Sequence, residues 1–290
     1  MALHRFTRRA MACEFGLSLE GDDAEYLRRA ADAAFEELAR LEQLLSRFIP
    51  TSDVSQINSA TADRPVMVAA ETVECLELAA QLWCETRGAF DITFGSVPDW
   101  AASSSGMDQI QLEGLRRTVR RRTSAVFVDL GGVGKGYALD RLAELLRGWG
   151  IRRALLDSGQ STALAVGRGW TVALRDPSDQ QSVLGHAVLS DFALAGSGVQ
   201  LHGQHIVDPQ TRQPAGVREA AWAAAATAAV ADALSTAFMV MSEQEIRQYC
   251  AAKAGTAAVL LVGPGRLVRV GAESGGCVLR MGANGLGAGA

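Results

Sequence analysis

What this 290-residue chain lacks narrows its function before any motif is read. Its five cysteines, Cys13, Cys75, Cys84, Cys250 and Cys277, are scattered and odd in number. No two stand in a C-x-x-C spacing, so neither a disulfide framework nor a thiolate metal site is favoured. Cys75 and Cys84 fall in a helical pattern and read as small core residues. No sign of charge dominates: 28 Lys+Arg stand against 32 Asp+Glu, for a formal net charge of -4. The one basic cluster, Arg116, Arg117, Arg120, Arg121 and Arg122, is too brief for a nucleic-acid footprint. Long apolar runs are missing too. MALHRFTRRAMACEF has no stretch that would serve as a signal-peptide core, so the expected location is cytoplasmic as the sequence stands, or periplasmic if a leader was removed. The alanine-rich stretch Ala220 to Met241 is only weakly apolar and Asp232 interrupts it, so no stable membrane insertion is expected.

The chain does have apolar residues, at 48%, beside 21% charged ones, the balance of a folded soluble enzyme. Its length suits one large domain or two closely joined ones. A first strand is expected over Ala12–Leu19. A long amphipathic helix follows from Asp22 and ends before Pro50, then PTSDVSQIN reads as a capped turn. A second helix ends near Gly88. Strands are expected at Arg117–Arg121 and Ala125–Leu130, and a third helix at Tyr137–Trp149. Short strands follow at 153–157, 163–166, 170–174, 183–189 and 192–195. Helices are expected at about Thr227–Val240 and Glu243–Ala252, with a closing hairpin around Pro264-Gly265. Hairpin-like strands beside long helices imply α+β architecture with mixed or antiparallel sheets packed against helices.

Three segments carry residues suited to chemistry. In VFVDLGGVGKGYALD, the glycines 131, 132, 134 and 136 permit close approach of a ligand, and the helix that follows offers orphan N–H donors to an anion. Lys135 would supply a point charge, although Gly136 after it rules out a Walker A loop; an ordinary strand–turn–helix remains the plain alternative. In ADALSTAF, Asp232 and Thr236 lie one helical turn apart and present two hard oxygens on one face, which suits a cation or, more simply, local capping and back-bonding. HGQHIVDPQT holds two of the four histidines. There His205 has the titration range of a general base, beside a rigid Asp208-Pro209 turn.

Taken in order, MACEF, PTSDVSQIN, AFDITFG, DLGGVGKGYALD, LDSGQ, LAGSG, HIVDPQTRQP and ADALSTAF strongly resemble the ApbE-type FAD:protein FMN transferases. The resemblance implies one such domain over residues 11–275, built as closely joined parts with the ligand cleft between them, and loose ends at 1–10 and 276–290. It implies transfer of FMN from FAD to a threonine or serine of an acceptor protein through a phosphoester, with Mg²⁺ required and AMP released. Asp232 and Thr236 would hold the metal with a backbone carbonyl near Gly134. His205 would take the acceptor proton with Asp208 in support, and Met11, Asp91, Thr93, Lys135 and Asp157 would line or shape the FAD site. A flavin-binding protein without transfer, or an FAD pyrophosphatase using water, are the alternatives.

The chain departs from the family pattern at several points. Gly196-Ser197-Gly198 stands where Thr-Ser-Gly is usual, and Arg212 replaces the glycine that closes DPxTG. Asp53 replaces a commoner Glu, Gln56 an Arg, and LDSGQ a segment usually ending Gly-Gly-Asn.

Overall fold

The computed structural model describes residues 1–94, 106–179, 181–198, 207–213, 215–216, 218–271 and 276–281. The α+β expectation holds. The strands are β1 (Ala2–Ala10), β2 (Cys13–Gly21), β3 (Val66–Met67), β4 (Ile110–Glu113), β5 (Thr118–Arg121), β6 (Ala154–Ser158), β7 (Thr162–Val166), β8 (Trp170–Arg175), β9 (Val183–Leu189), β10 (Ala193–Gly198), β11 (Ala220–Ala225), β12 (Ala257–Leu261), β13 (Leu267–Val270) and β14 (Cys277–Met281). The helices are α1 (Ala24–Leu45), α2 (Asp53–Ser59), α3 (Ala70–Glu85), α4 (Gly134–Gly148), α5 (Ala228–Val240) and α6 (Glu243–Ala252).

An eight-stranded sheet in the order β1-β2-β6-β7-β10-β11-β12-β13 is the frame, and every neighbouring pair in it is antiparallel. Side chains alternate across it with period two. On β11, Ala221, Ala223 and Ala225 join the core beneath the helices, while Ala220, Trp222 and Ala224 join a second core. That second core lies against a three-stranded sheet, β14-β9-β8. A further small sheet, β3-β5-β4, stands apart from both.

Four sequence expectations are corrected. Residues 1–10 are not a loose end: Ala2–Ala10 pair along their length with Cys13–Gly21. Phe6 packs on the core and the Arg8 guanidinium lies over the Phe35 ring at 4.9 Å. At the other end, Cys277–Met281 form β14 on β9 instead of a loose tail. Ala125–Leu130 make no ladder. Val126, Val128 and Leu130 are buried, and the Asn58 amide bonds both the N–H and the C=O of Val128, at 2.7 and 2.8 Å, as a partner strand would. PTSDVSQIN supplies a short helix, α2, capped by Ser52, where only a turn was expected.

Two expected core or charge features also resolve. Cys75 is buried and Cys84 exposed, because nine residues of α3 are about two and a half turns and bring them to opposite faces. Arg121 leaves the basic cluster altogether. It is buried and donates to the carbonyls of Ser124, Val126 and Ala60.

Candidate functional site

Helices α4 and α5 meet along a ladder with a step of four residues. Asp140 of α4 caps α5: its two carboxylate oxygens accept from Ala228 N at 2.7 Å and Ala229 N at 2.8 Å. One turn back, Gly136 N donates to Asp232 Oδ2 at 3.1 Å. One turn further, a Cβ on Gly132 would stand 3.6 Å from Thr236 Oγ1. Residues 140, 136 and 132 thus run down one line while 228, 232 and 236 run up the other, as i,i+4 spacing allows. The approach needs glycine at 136. A Cβ there would lie 2.6 Å from the Ala228 carbonyl carbon and 2.7 Å from Ala229 Cα.

Asp232 and Thr236 therefore both face the glycine-rich segment. Asp232 is buried at 5% exposure, with its Oδ1 accepting from Thr162 Oγ1 on β7 at 3.1 Å. Burial pushes its carboxyl above the ordinary aspartate range, against the pull of Lys135 and its two hydrogen bonds. Thr236 Oγ1 is 3.4 Å from Ser197 Oγ, and Ser197 Oγ is 2.8 Å from Ser235 Oγ. Gly134 begins α4 between Gly132 and Gly136, on the same segment. Lys135 reaches back to the Gly131 carbonyl at 3.0 Å.

The remaining predicted residues surround or adjoin this ladder. Asp91 Oδ1 accepts from Thr93 N at 2.8 Å and Thr93 Oγ1 at 2.6 Å, and the Trp83 side chain also bonds it; burial raises its carboxyl. Ile92 O, in the same turn, receives Asp129 N at 2.8 Å, which ties the turn to the start of the glycine segment. Met11 occupies the tight β1–β2 turn with φ +47°, its N–H held by Glu42 Oε1 at 2.6 Å. Asp157 on β6 is ion-paired with Arg5 at 3.0 Å. Asp208 spends both oxygens on its own turn, accepting from Gln210 N and Thr211 Oγ1, each at 2.8 Å. His205 lies outside the described residues.

The departures from the expected motifs have local causes. Arg212 has φ +56°, so the position keeps the left-handed backbone that glycine accepts at no cost. A Cβ on Gly196 would stand 2.7 Å from Trp222 Cδ1 and Nε1, so the indole fills the space a side chain would need. Asp53 accepts from Ala69 N at 2.8 Å and Thr72 Oγ1 at 2.6 Å, capping α3, whose own N-cap residue is alanine. A cavity of about 320 Å³ is lined in part by Arg5, Asp157, Arg175 and Trp222; Asp232 and Thr236 do not line it, but Thr162 and Ser197, which bond to them, do.

Sequence reasoning missed Asp140 and Thr162. Asp140 was legible as the residue four past Gly136, but its partner lies 88 residues on and only the fold reveals it. Its carboxyl is pushed up to about 6 by burial, against the two N–H donors. A carboxyl raised in the folded chain contributes stability below its unfolded value near 4, and that contribution is lost as pH rises to about 6. Asp140→Ala is expected to lower stability by about 1–2 kcal/mol, since the first N–H groups of α5 then lose their side-chain acceptor. The gap to the parent should be widest near pH 4 and narrow as pH passes 6, as measured by urea unfolding across that range.

Comparison with known proteins agrees with this architecture. A family model described as the ApbE family matches residues 11–261. A protein of Klebsiella pneumoniae (strain 342) named FAD:protein FMN transferase is 29% identical over 261 residues, covering 78% of this chain and 74% of its own. One of the same name from Vibrio cholerae (strain O395) is 27% identical over 274 residues, covering 83% and 80%. Among solved structures, an ApbE protein of Thermotoga maritima superposes with a TM-score of 0.82 at 24% identity, over 93% of this chain and 97% of that one.

Proposed function

This chain belongs to the ApbE family, and on that premise we propose that it is an FAD:protein FMN transferase acting on a threonine or serine hydroxyl. In the reaction the acceptor oxygen bonds to the phosphorus of the FMN half of FAD. The pyrophosphate P–O bond breaks, AMP leaves with that electron pair, and His205 takes the hydroxyl proton. The observation that carries the reading is the placement of Asp232 and Thr236, one turn apart, against the glycine-rich segment 131–136.

The donors present fit a hard cation. Among the described residues the buried Asp232 carboxylate meets one N–H, one hydroxyl and, without a direct ion pair, the charge of Lys135, so a cation would partner it more fully. Thr236 adds a hydroxyl and Gly134 a carbonyl from the facing segment, oxygen ligands of the kind Mg²⁺ takes, with water and phosphate completing its shell. Bound there, Mg²⁺ would offset the charge of the diphosphate and of the departing AMP. Residues of the chain do the rest. The Asp91–Thr93 turn backs the glycine segment, Lys135 adds positive charge beside Asp232, and Asp208 fixes the turn that follows His205.

Incubating the protein with FAD, Mg²⁺ and flavoprotein peptides carrying threonine tests the reading. The expected result is a peptide whose intact mass has risen by FMN less one water, with one AMP released per peptide. FMN and AMP without attachment would replace transfer by hydrolysis, and bound FAD with neither product would replace it by storage.

A further inference from the structure

We infer that Thr162 is a positioning residue for Asp232, setting the plane of the carboxylate that receives the cation. This rests on the metal reading given above. Among the described residues each Asp232 oxygen has one protein donor, Gly136 N on Oδ2 and Thr162 Oγ1 on Oδ1, both at 3.1 Å. A single contact would leave the carboxylate free to turn about its Cβ–Cγ bond, and two on separate oxygens stop it. A carboxylate oxygen accepts more than one bond, so each keeps a lone pair for a cation.

The two clamps have different origins. Gly136 belongs to the same glycine-rich helix start that faces the cation. Thr162 sits on β7, a strand buried along its whole length, and references the carboxylate to the sheet. Its hydroxyl has one proton, and the bond to Asp232 commits it. Its β-branch restricts χ1, and although it borders the cavity described above it is only 3% exposed. The neighbouring Ala195, directly across β10, is too small to crowd the hydroxyl out of place.

Outer partners of metal ligands typically change metal affinity 10–100-fold when removed, and Thr162→Val, which keeps the shape and deletes the hydroxyl, is expected to weaken Mn²⁺ binding by about that factor. Thr162→Ser should restore most of it. Binding is read from loss of the free-Mn²⁺ EPR signal on titrating the whole protein, with circular dichroism to verify folding. T162V binding Mn²⁺ as tightly as the parent, while D232N binds none, overturns the role of Thr162 and leaves the metal site standing. D232N binding like the parent overturns the metal reading itself. Should T162V not fold, Thr162→Ala poses the same question: it must bind Mn²⁺ at least about tenfold more weakly than T162S, the lower end for such partners, and equal affinities refute the inference.

Discussion

Replacing Asp232 with asparagine is expected to abolish flavin transfer while leaving the metal-free chain about as stable as the parent. The loss should be at least about a thousandfold, on the order of 4 kcal/mol of barrier, because an amide cannot neutralise a divalent cation. Stability moves differently because burial makes the charged carboxylate costly in the folded chain. Asparagine removes that charge. It keeps an acceptor for either Gly136 N or Thr162 Oγ1 and turns an NH₂ toward the other, at a cost of about 1 kcal/mol. The two effects oppose each other. In-gel flavin fluorescence on the acceptor gives the first quantity and thermal unfolding in chelator the second. Mg²⁺ should raise the melting temperature of the parent and leave that of D232N unmoved, since only a ligand that binds the folded state shifts it. A variant that transfers FMN normally yet melts early would make Asp232 a structural carboxylate.

Both halves of the ladder were legible in the sequence, and their meeting was not. Gly132, Gly136 and Asp140 are spaced by four within one motif, as are Ala228, Asp232 and Thr236 within another. Local periodicity orders each set along a line but says nothing of which lines touch across some ninety residues. Spacing paired Asp232 and Thr236 on one helix face, and the resemblance made them metal ligands. Thr162 had no such signal, because a lone threonine in an apolar strand looks like any other β-former.

The misread elements share a cause. AAWAAA carries strong helix formers and was passed over as part of the alanine-rich stretch before α5, yet it is β11. The small side chains let α5 lie close on the sheet, with Ala221, Ala223 and Ala225 beneath the helix and Trp222 on the far face. Packing overrode propensity there. At Val126–Leu130 the apolar pattern was genuine, but its backbone partner was the Asn58 side chain, which no strand pattern can announce. Segments whose apolar face simply meets a core, such as α1 and α6, were placed within a few residues.

Replacing Gly136 with alanine sets a local preference against a tertiary contact, and the contact should win by about 2–4 kcal/mol. Helix propensity alone favours the change by about 1 kcal/mol, since Gly136 lies in the first turn of α4. The new Cβ, however, would meet backbone atoms of Ala228 and Ala229 at 2.6 and 2.7 Å, and backbone has no rotamer to yield. The helices must part. Parting lengthens the Gly136–Asp232 bond and both Asp140 bonds to the start of α5, so the cap on α5 weakens with the metal clamp. Gly148, at the other end of α4, is the control: a Cβ there meets nothing within 4 Å. Gly148→Ala should stabilise by up to about 1 kcal/mol through propensity alone. Urea unfolding of the two variants should therefore move in opposite directions. If G136A were stabilised as G148A is, the close approach of α4 to α5 would carry no energy, and the geometry of Asp232 would have to be set by the sheet alone.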